Sequence, residues 1–205
     1  MRRTRMLRIA RAVTTGSHAL FYVREHRLVF SAKKGLHAVY SIEPHVVIDI
    51  TPSGAPAASG ARFSTSSKVL AALSAQQRAV LHGGANAVDA PAPLLAALKL
   101  PPASRMLGAF HSLDANSGAY INYAYLFDAE PPFGITHVSS PLPLTEAPPQ
   151  PGAETPRGAH MAFLSGIVAS SDGAAIHFAY GSSNVESRVL MLPAEALAQR
   201  MRAAA

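Results

Sequence analysis

The chain of 205 residues contains no cysteine, which excludes disulfide bonds and thiolate chemistry. It also lacks any apolar run that approaches the roughly 20 residues needed by a transmembrane helix. Charged residues are few, at 15%, whereas hydrophobic residues make up 49%, a composition typical of a globular protein and not of a disordered one. The length suits one domain with its own core, or part of a larger domain.

Positive charge is concentrated at the N-terminus. The net charge is +6, but arginines within the first eleven residues supply five of these charges, and the first acidic residue is Glu25. The remaining net charge of +1 argues against a broad phosphate-binding surface, so nucleic-acid binding is not expected. Residues 1–18 are predicted to be either an organelle-targeting segment or a solvated basic tail, with a cytoplasmic location as the default.

Short apolar segments, separated by charged, glycine or proline breaks, predict an all-β fold. They are rich in β-branched and aromatic residues, which is typical of strands. The predicted strands are ALFYV, RLVFSA, LHAVYSI, HVVIDI, LLAALKL, RMLGAFHS, AYINYAYLFDA, PPFGITHVSS, HMAFLSGIVAS, AIHFAYG and SRVLMLP. Flexible loops are predicted near 51–67 and 141–158. One inserted helix is predicted at 68–81 with Ser66 or Ser67 as its N-cap, and a C-terminal helix or tail at 193–205.

Three of these segments share a pattern that repeats at a constant distance. Each is an apolar run that ends on an aromatic residue followed by small or polar residues, and the aromatics are Tyr40, Phe110 and Tyr180. Both intervals between them are 70 residues. Strand groups at an even period indicate the blades of a β-propeller, with a sandwich or a barrel as the alternative. We therefore predict propeller-like blades over residues 19–192.

Two longer stretches resemble five-bladed propellers of glycoside hydrolase family 130. In HSLDANSGAYINYAYLFDAEPPFGITHVSSPLPL (111–144), together with the preceding Phe110, the order of elements is that of the family. A strand end with an aromatic, His and Ser precedes a Tyr-containing strand, an acidic turn with proline, and a Ser and Pro-Leu element. FLSGIVASSDGAAIHFAYGSSN (163–184) is similar to the blade that closes on Tyr-Gly-x-x-Asp. HGGANAV (82–88) is similar to a Gly-Gly-Thr-Pro element of distant members. The resemblance covers roughly residues 36–192.

The resemblance implies both a fold and an activity. The family comprises β-mannoside phosphorylases and hydrolases, and related β-mannosyltransferases use the same fold. This chain departs from the family at Asn184, where the family carries Asp, and it has no match to the Glu-Asp-Pro-Arg element that holds the family's catalytic Asp. It is long enough for about three blades. The expectation is a partial propeller, with catalysis reduced because the early blades are missing.

The resemblance also implies which residues contact the substrate. It places His111 near a phosphate site, and Tyr180, Asn184, Arg188 and His82 are the further candidates for substrate binding. Charged and polar nitrogens can donate hydrogen bonds to phosphate or sugar oxygens, and an aromatic ring can stack on a sugar face. The alternative for each of them is a structural role in the core or at a strand end.

Catalysis of glycoside cleavage by protein carboxylates uses a pair, one of which donates a proton. Glu43 and Glu186 both follow a repeat aromatic closely and are the catalytic candidates, unless they cap turns or pair with Arg188 or Lys33. No organic cofactor or metal site is indicated, because the histidines are dispersed and no dinucleotide or P-loop motif occurs. Inorganic phosphate would be the co-substrate of a phosphorolysis.

The expected partner is thus a glycan or sugar, and the expected function is binding or processing of a mannose-type glycan. The alternative is a non-enzymatic, β-rich protein-interaction domain whose proline-rich loops form the contact surfaces. The choice among hydrolysis, phosphorolysis and transfer, and the oligomeric state, stay open at this point.

Overall fold

The protein is mostly β, and its strands form three antiparallel sheets. A computed structural model describes residues 28–32, 35–51, 55–57, 60–77, 80–102, 104–114, 118–145, 161–183 and 186–204. None of the sheets closes on itself within these residues. No helix in the described ranges is both long enough and apolar enough to cross a bilayer.

The three sheets follow one another along the chain, except that the last strand, β13, returns to the central sheet. The first sheet has the order β1 (Leu28–Ala32), β2 (Gly35–Ser41), β3 (His45–Ile50) and β4 (Arg62–Thr65). The central sheet consists of β5 (His82–Gly83), β6 (Val88–Asp89), β7 (Arg105–Leu113), β8 (Tyr120–Asp128), β9 (Ile135–Ser139) and β13 (Met201–Ala203). The third sheet has the order β10 (Ala162–Ala169), β11 (Ala175–Ser182) and β12 (Glu186–Pro193). The helices are α1 (Lys68–Gln77), α2 (Ala92–Ala97) and α3 (Ala194–Arg200).

The central sheet lies between the other two and carries a hydrophobic cluster on each face. Alternate residues of a strand point to opposite faces, so β7 sends Phe110 to one side and Leu107 to the other. Cluster one packs against the first sheet and α1 and includes Phe30, Val47, Leu70, Phe110, Tyr123, Tyr125, Phe127 and Phe133. Cluster two packs against the third sheet, α2 and α3 and includes Leu94, Leu107, Leu126, Leu164, Ile176, Phe178 and Leu197.

The three repeat aromatics occupy equivalent strands. Tyr40 lies on β2, Phe110 on β7 and Tyr180 on β11, and each of these strands is the middle one of three consecutive antiparallel strands. Phe110 and Tyr180 are buried, whereas Tyr40 is 46% exposed, with the Arg62 guanidinium 5.6 Å from the centre of its ring. Each repeat aromatic thus lies on a strand that has a neighbour on both sides, but the three sheets differ in their number of strands and the aromatic of the first sheet is exposed.

Several sequence-based assignments of elements need correction. LLAALKL was predicted as a strand, but α2 includes most of it, because Pro91 and Pro93 begin a helix whose Leu94 and Leu95 are buried in cluster two. The predicted loop at 51–67 contains β4, which pairs along β3. The fold thus has α2 in addition to the predicted inserted helix. The predicted C-terminal helix ends at Arg200, and β13 begins at Met201 and pairs with β9.

The other predicted strands that the structure describes are confirmed, with small shifts of their ends. The predicted inserted helix is confirmed from Lys68 to Gln77, with the Ser67 hydroxyl accepting a hydrogen bond from the Leu70 amide at 3.4 Å. Residues 1–18, the predicted strand ALFYV, most of the predicted loop at 141–158 and the substrate-binding candidate Asn184 lie outside the described residues.

Candidate functional site

Two of the predicted site residues, His82 and His111, lie side by side on the central sheet. His82 of β5 pairs directly with His111 of β7. Their rings stack, with 5.6 Å between the centroids and an angle of 27° between the planes. His111 is only 2% exposed, whereas His82 is exposed. The buried ring of His111 therefore contacts a ring, that of His82, which is exposed to solvent.

Tyr120 and Phe163 extend this pair into a group of four rings. The Tyr120 ring lies 4.4 Å from that of His111, and the Phe163 ring lies 5.7 Å from it. Tyr120 and Phe163 also contact each other, with 6.1 Å between their centroids. Both are partly buried. We call His82, His111, Tyr120 and Phe163 the ring cluster; it joins the central sheet to strand β10.

A buried asparagine connects the ring cluster to the third sheet. Asn122 pairs with His111 across β7 and β8, and its side-chain amide donates a hydrogen bond of 2.7 Å to the carbonyl oxygen of Ala162. The amide oxygen of Asn122 is buried and has no hydrogen-bond donor among the described residues. This hydrogen bond fixes the position of β10 relative to β8. Breaking it would leave the buried Asn122 amide and the Ala162 carbonyl without this partner, which costs free energy.

Tyr180 and Arg188 form a second polar group around Thr145. The two residues pair across β11 and β12. The hydroxyl of Tyr180 donates to the Thr145 carbonyl at 3.3 Å, and an Arg188 Nη donates to the Thr145 hydroxyl at 3.0 Å. Arg188 Nε also donates to the Glu186 carboxylate at 2.7 Å, a hydrogen bond that raises the pKa of Arg188. These contacts hold the segment after β9 against the third sheet.

The two groups lie at the same end of the junction between the central and third sheets. Ala162, which accepts the hydrogen bond from Asn122, pairs with Ser182 at the end of β11. The hydroxyl of Ser182 donates to the Thr145 carbonyl at 3.4 Å, next to Tyr180. Four of the five predicted substrate-binding residues, His82, His111, Tyr180 and Arg188, are therefore connected through Asn122, Ala162, Ser182 and Thr145.

The two catalytic candidates lie on different sheets and have local partners. Glu43 is in the turn between β2 and β3, and its carboxylate accepts a hydrogen bond of 3.3 Å from the amide of Ser67 at the start of α1. Glu186 is at the beginning of β12 in its ion pair with Arg188. The central sheet lies between the sheets that carry them, and no described contact joins the two carboxylates.

Sequence reasoning did not single out Asn122, Phe163 or Thr145 as site residues. The sequence of β8 does mark Asn122 as unusual. It alternates with Ala124 and Leu126 and is therefore a polar residue on an otherwise apolar face of the strand. Phe163 and Thr145 join the site only through contacts between distant segments. No local pattern predicts such contacts.

The arrangement offers rings for stacking and nitrogens for hydrogen bonding. Among the residues described, no three histidines or carboxylates come together in a way that could hold a metal ion. Comparison with protein-family models, with curated proteins and with solved structures finds no match to this chain.

Proposed function

We propose that the protein binds a mannose-type glycan, and that it is a partial β-propeller related to the β-mannoside phosphorylases and hydrolases. Three consecutive antiparallel sheets, stacked face to face, are what about three blades of a propeller would form. The 70-residue interval supports the same proposal, because it separates equivalent strands of the three sheets. The sugar class comes from the sequence resemblance.

The observation that carries the proposal is the ring cluster with its polar neighbours at one sheet junction. The exposed ring of His82 and the partly exposed ring of Tyr120 offer faces on which a sugar ring could stack. Arg188 and Thr145 lie on the other side of this end of the junction and can exchange hydrogen bonds with hydroxyl groups. Aromatic faces combined with a few placed polar groups are the usual composition of a small-molecule site.

Binding is favoured over cleavage because of the state of the two candidate carboxylates. Glycoside hydrolysis by a carboxylate pair requires both groups to flank one glycosidic bond. Glu43 instead accepts a hydrogen bond from the start of a helix, and Glu186 pairs with Arg188. We therefore propose that the protein is a glycan-binding relative of these enzymes and that neither Glu43 nor Glu186 acts as an acid or a base.

Calorimetric titration with manno-oligosaccharides tests this proposal. We expect saturable binding that His82→Ala, which removes a stacking ring, and Arg188→Ala, which removes a hydrogen-bond donor, each weaken about two- to twelvefold, the range for a lost contact of about 0.5–1.5 kcal/mol. His177→Ala is the matched control, since His177 lies on the opposite face of the third sheet and should leave affinity unchanged. Glu43→Gln should also leave affinity unchanged.

Two results would contradict the proposal. One is a flat titration of the unsubstituted chain while its circular-dichroism spectrum shows folded β-structure. The other is binding that persists unchanged in both the His82 and the Arg188 variants, which would place the sugar elsewhere on the molecule.

A further inference from the structure

Asn122 contacts three of the segments that carry the candidate site. It lies on β8 and is 2% exposed. Its side-chain amide donates hydrogen bonds to the Ala162 carbonyl of β10 at 2.7 Å and to the Tyr120 carbonyl at 3.4 Å. Its backbone carbonyl accepts a hydrogen bond of 2.8 Å from the amide of Leu142, in the segment that follows β9. One buried residue therefore joins β10, the ring cluster and the segment after β9.

Both parts of the candidate site are connected to Asn122. Tyr120 is a member of the ring cluster. The polar residues around Thr145 are joined to it by hydrogen bonds, and together with it we call them the Thr145 group: Thr145, Tyr180, Ser182 and Arg188. Leu142 lies on the same segment as Thr145, and Ala162 pairs with Ser182 across β10 and β11. Asn122 therefore contacts the backbone on which both groups are built.

The two groups lie on opposite sides of Asn122 along the central sheet. His82 is on β5, and the sheet order places β7 between β5 and β8. The segment that carries Thr145 follows β9, which is the neighbour of β8 on its other side. His82 and this segment are therefore three strand spacings apart, about 14 Å. A ligand that contacts both groups must be an oligosaccharide, because one sugar ring is shorter than this distance.

We propose that Asn122 is a positioning residue that makes the site selective for an oligosaccharide over a single sugar. It holds the ring cluster and the Thr145 group at one separation, so that two sugars of one chain bind at the same time; this role rests on the glycan binding proposed above. Two contacts at a fixed distance bind a linked ligand more tightly than either contact alone, and the gain is lost when the distance changes. The Phe163 ring contact at 5.7 Å tolerates small shifts, whereas the hydrogen bond of 2.7 Å does not.

Titration of Asn122→Leu with mannotetraose and with mannose tests the proposal. The substitution removes the amide at similar volume. Affinity for mannotetraose should fall about two- to twelvefold, the factor for one lost contact, and affinity for mannose should change by less than about twofold. A variant that is only less stable would lose affinity for both sugars alike. Thr136→Val is the matched control and should leave both affinities unchanged, since it removes a 3.3 Å hydrogen bond from β9 to the Leu126 carbonyl, away from both groups.

Asn122→Asp provides a second measurement, a pH profile. A neutral carboxyl group has one O–H, which can donate to the Ala162 carbonyl in place of the amide. Burial favours this neutral form, whereas ionisation would place a carboxylate against the carbonyl oxygen. The affinity of the variant for mannotetraose, relative to that of the unsubstituted protein, should therefore rise from about pH 8 to about pH 5. The other titratable and charged groups at this junction are the same in both proteins and alter both affinities alike; they are His82, His111, Tyr120, Tyr180, Glu186 and Arg188.

Circular dichroism at each pH verifies that the variants are folded, and the pH profile alone decides if Asn122→Leu does not fold. Three results would overturn the positioning role while glycan binding stands: equal losses of affinity for mannose and mannotetraose in Asn122→Leu, no loss for either sugar, or a relative affinity of Asn122→Asp that does not change with pH. Absence of binding of both sugars to the unsubstituted protein would instead overturn the proposed function, and the positioning role with it.

Discussion

At the scale of single residues, His45 shows how the aromatic interior fixes a protonation state. It is 1% exposed and lies among rings, 5.2 Å from that of Phe127 and 5.7 Å from that of Tyr125. Burial lowers the pKa of His45 to about 4, and the 3.0 Å hydrogen bond from its Nδ1 to the Phe133 carbonyl offsets this effect only in part. At neutral pH the ring is uncharged, with its proton on Nδ1.

This buried histidine should make the protein less stable in mild acid. The unfolded chain takes up a proton on His45 near its ordinary pKa of 6.5, but the folded protein does so only near 4. The contribution of His45 to the free energy of unfolding is therefore complete above pH 6.5 and is lost as pH falls from 6.5 to about 4. At pH 5 the loss is about 2 kcal/mol. Urea denaturation at pH 7 and at pH 5 measures this difference.

His45→Asn separates this contribution from that of the other histidines. An asparagine amide can donate to the Phe133 carbonyl in place of Nδ1 but does not titrate. The variant should lose less of its free energy of unfolding between pH 7 and pH 5 than the unsubstituted protein does. An equal loss in both proteins would show that His45 is not the group responsible.

At the scale of elements, Ser67 joins three separate segments. Its hydroxyl accepts a hydrogen bond from the Leu70 amide at 3.4 Å and donates one to the Ala204 carbonyl at 3.2 Å. Its own amide donates to the Glu43 carboxylate at 3.3 Å. One buried serine thus connects the start of α1, the turn after β2 and the residue that follows β13.

Replacement of this serine tests which of two adjacent serines caps the helix. Ser67→Ala should lower the free energy of unfolding by about 1–2 kcal/mol, because it removes the cap and leaves the buried Ala204 carbonyl without this donor. Ser66→Ala, the neighbouring exposed serine, is the control and should change it by less than about 0.5 kcal/mol. Chemical denaturation measures both, and equal effects would argue against the cap.

The strands could be predicted from sequence wherever an apolar run had clear ends. HVVIDI and AIHFAYG correspond closely to β3 and β11 because charged, glycine or proline residues bound them. LLAALKL failed because a short apolar run is compatible with a strand or a buried helix, and the prolines before it decide in favour of the helix. Strands β4 and β13 form because they pair with β3 and β9. Their own sequences do not show the apolar pattern that predicts a strand.

The candidate site could be predicted in part, because several of its residues lie where the apolar runs end. His82, His111, Tyr180 and Arg188 stand out as polar or aromatic residues at strand ends, and the structure connects them at one junction. The members added by the structure depend on register and on loop placement. Asn122 is opposite His111 only in the observed pairing of β7 and β8. A shift of one residue would turn it to the other face.

At the scale of the whole molecule, one central sheet supports both hydrophobic clusters. Strands β7 and β8 place Phe110 and Phe127 in cluster one and Leu107 and Leu126 in cluster two. Neither cluster can form without these two strands, because each uses one of their faces. The first and third sheets should therefore be coupled in stability even though the central sheet separates them.

Two matched substitutions test this coupling. Leu70 of α1 is fully buried in cluster one, and Leu164 of β10 is fully buried in cluster two. Leu70→Ala and Leu164→Ala should each lower the free energy of unfolding by about 2–5 kcal/mol, through lost burial and a residual cavity. Calorimetry should show one transition in both variants, as for a two-state domain.

Hydrogen exchange then locates the effect of each substitution. If unfolding is coupled, Leu164→Ala should speed exchange of the most protected amides of β2 and β3 as much as it does those of β10 and β11. Leu70→Ala should do the same in the reverse direction. Faster exchange confined to the sheet nearest the substitution, together with two calorimetric transitions, would contradict the coupling. Such a result would mean that the faces of the central sheet can lose their neighbours one at a time, as independent blades would.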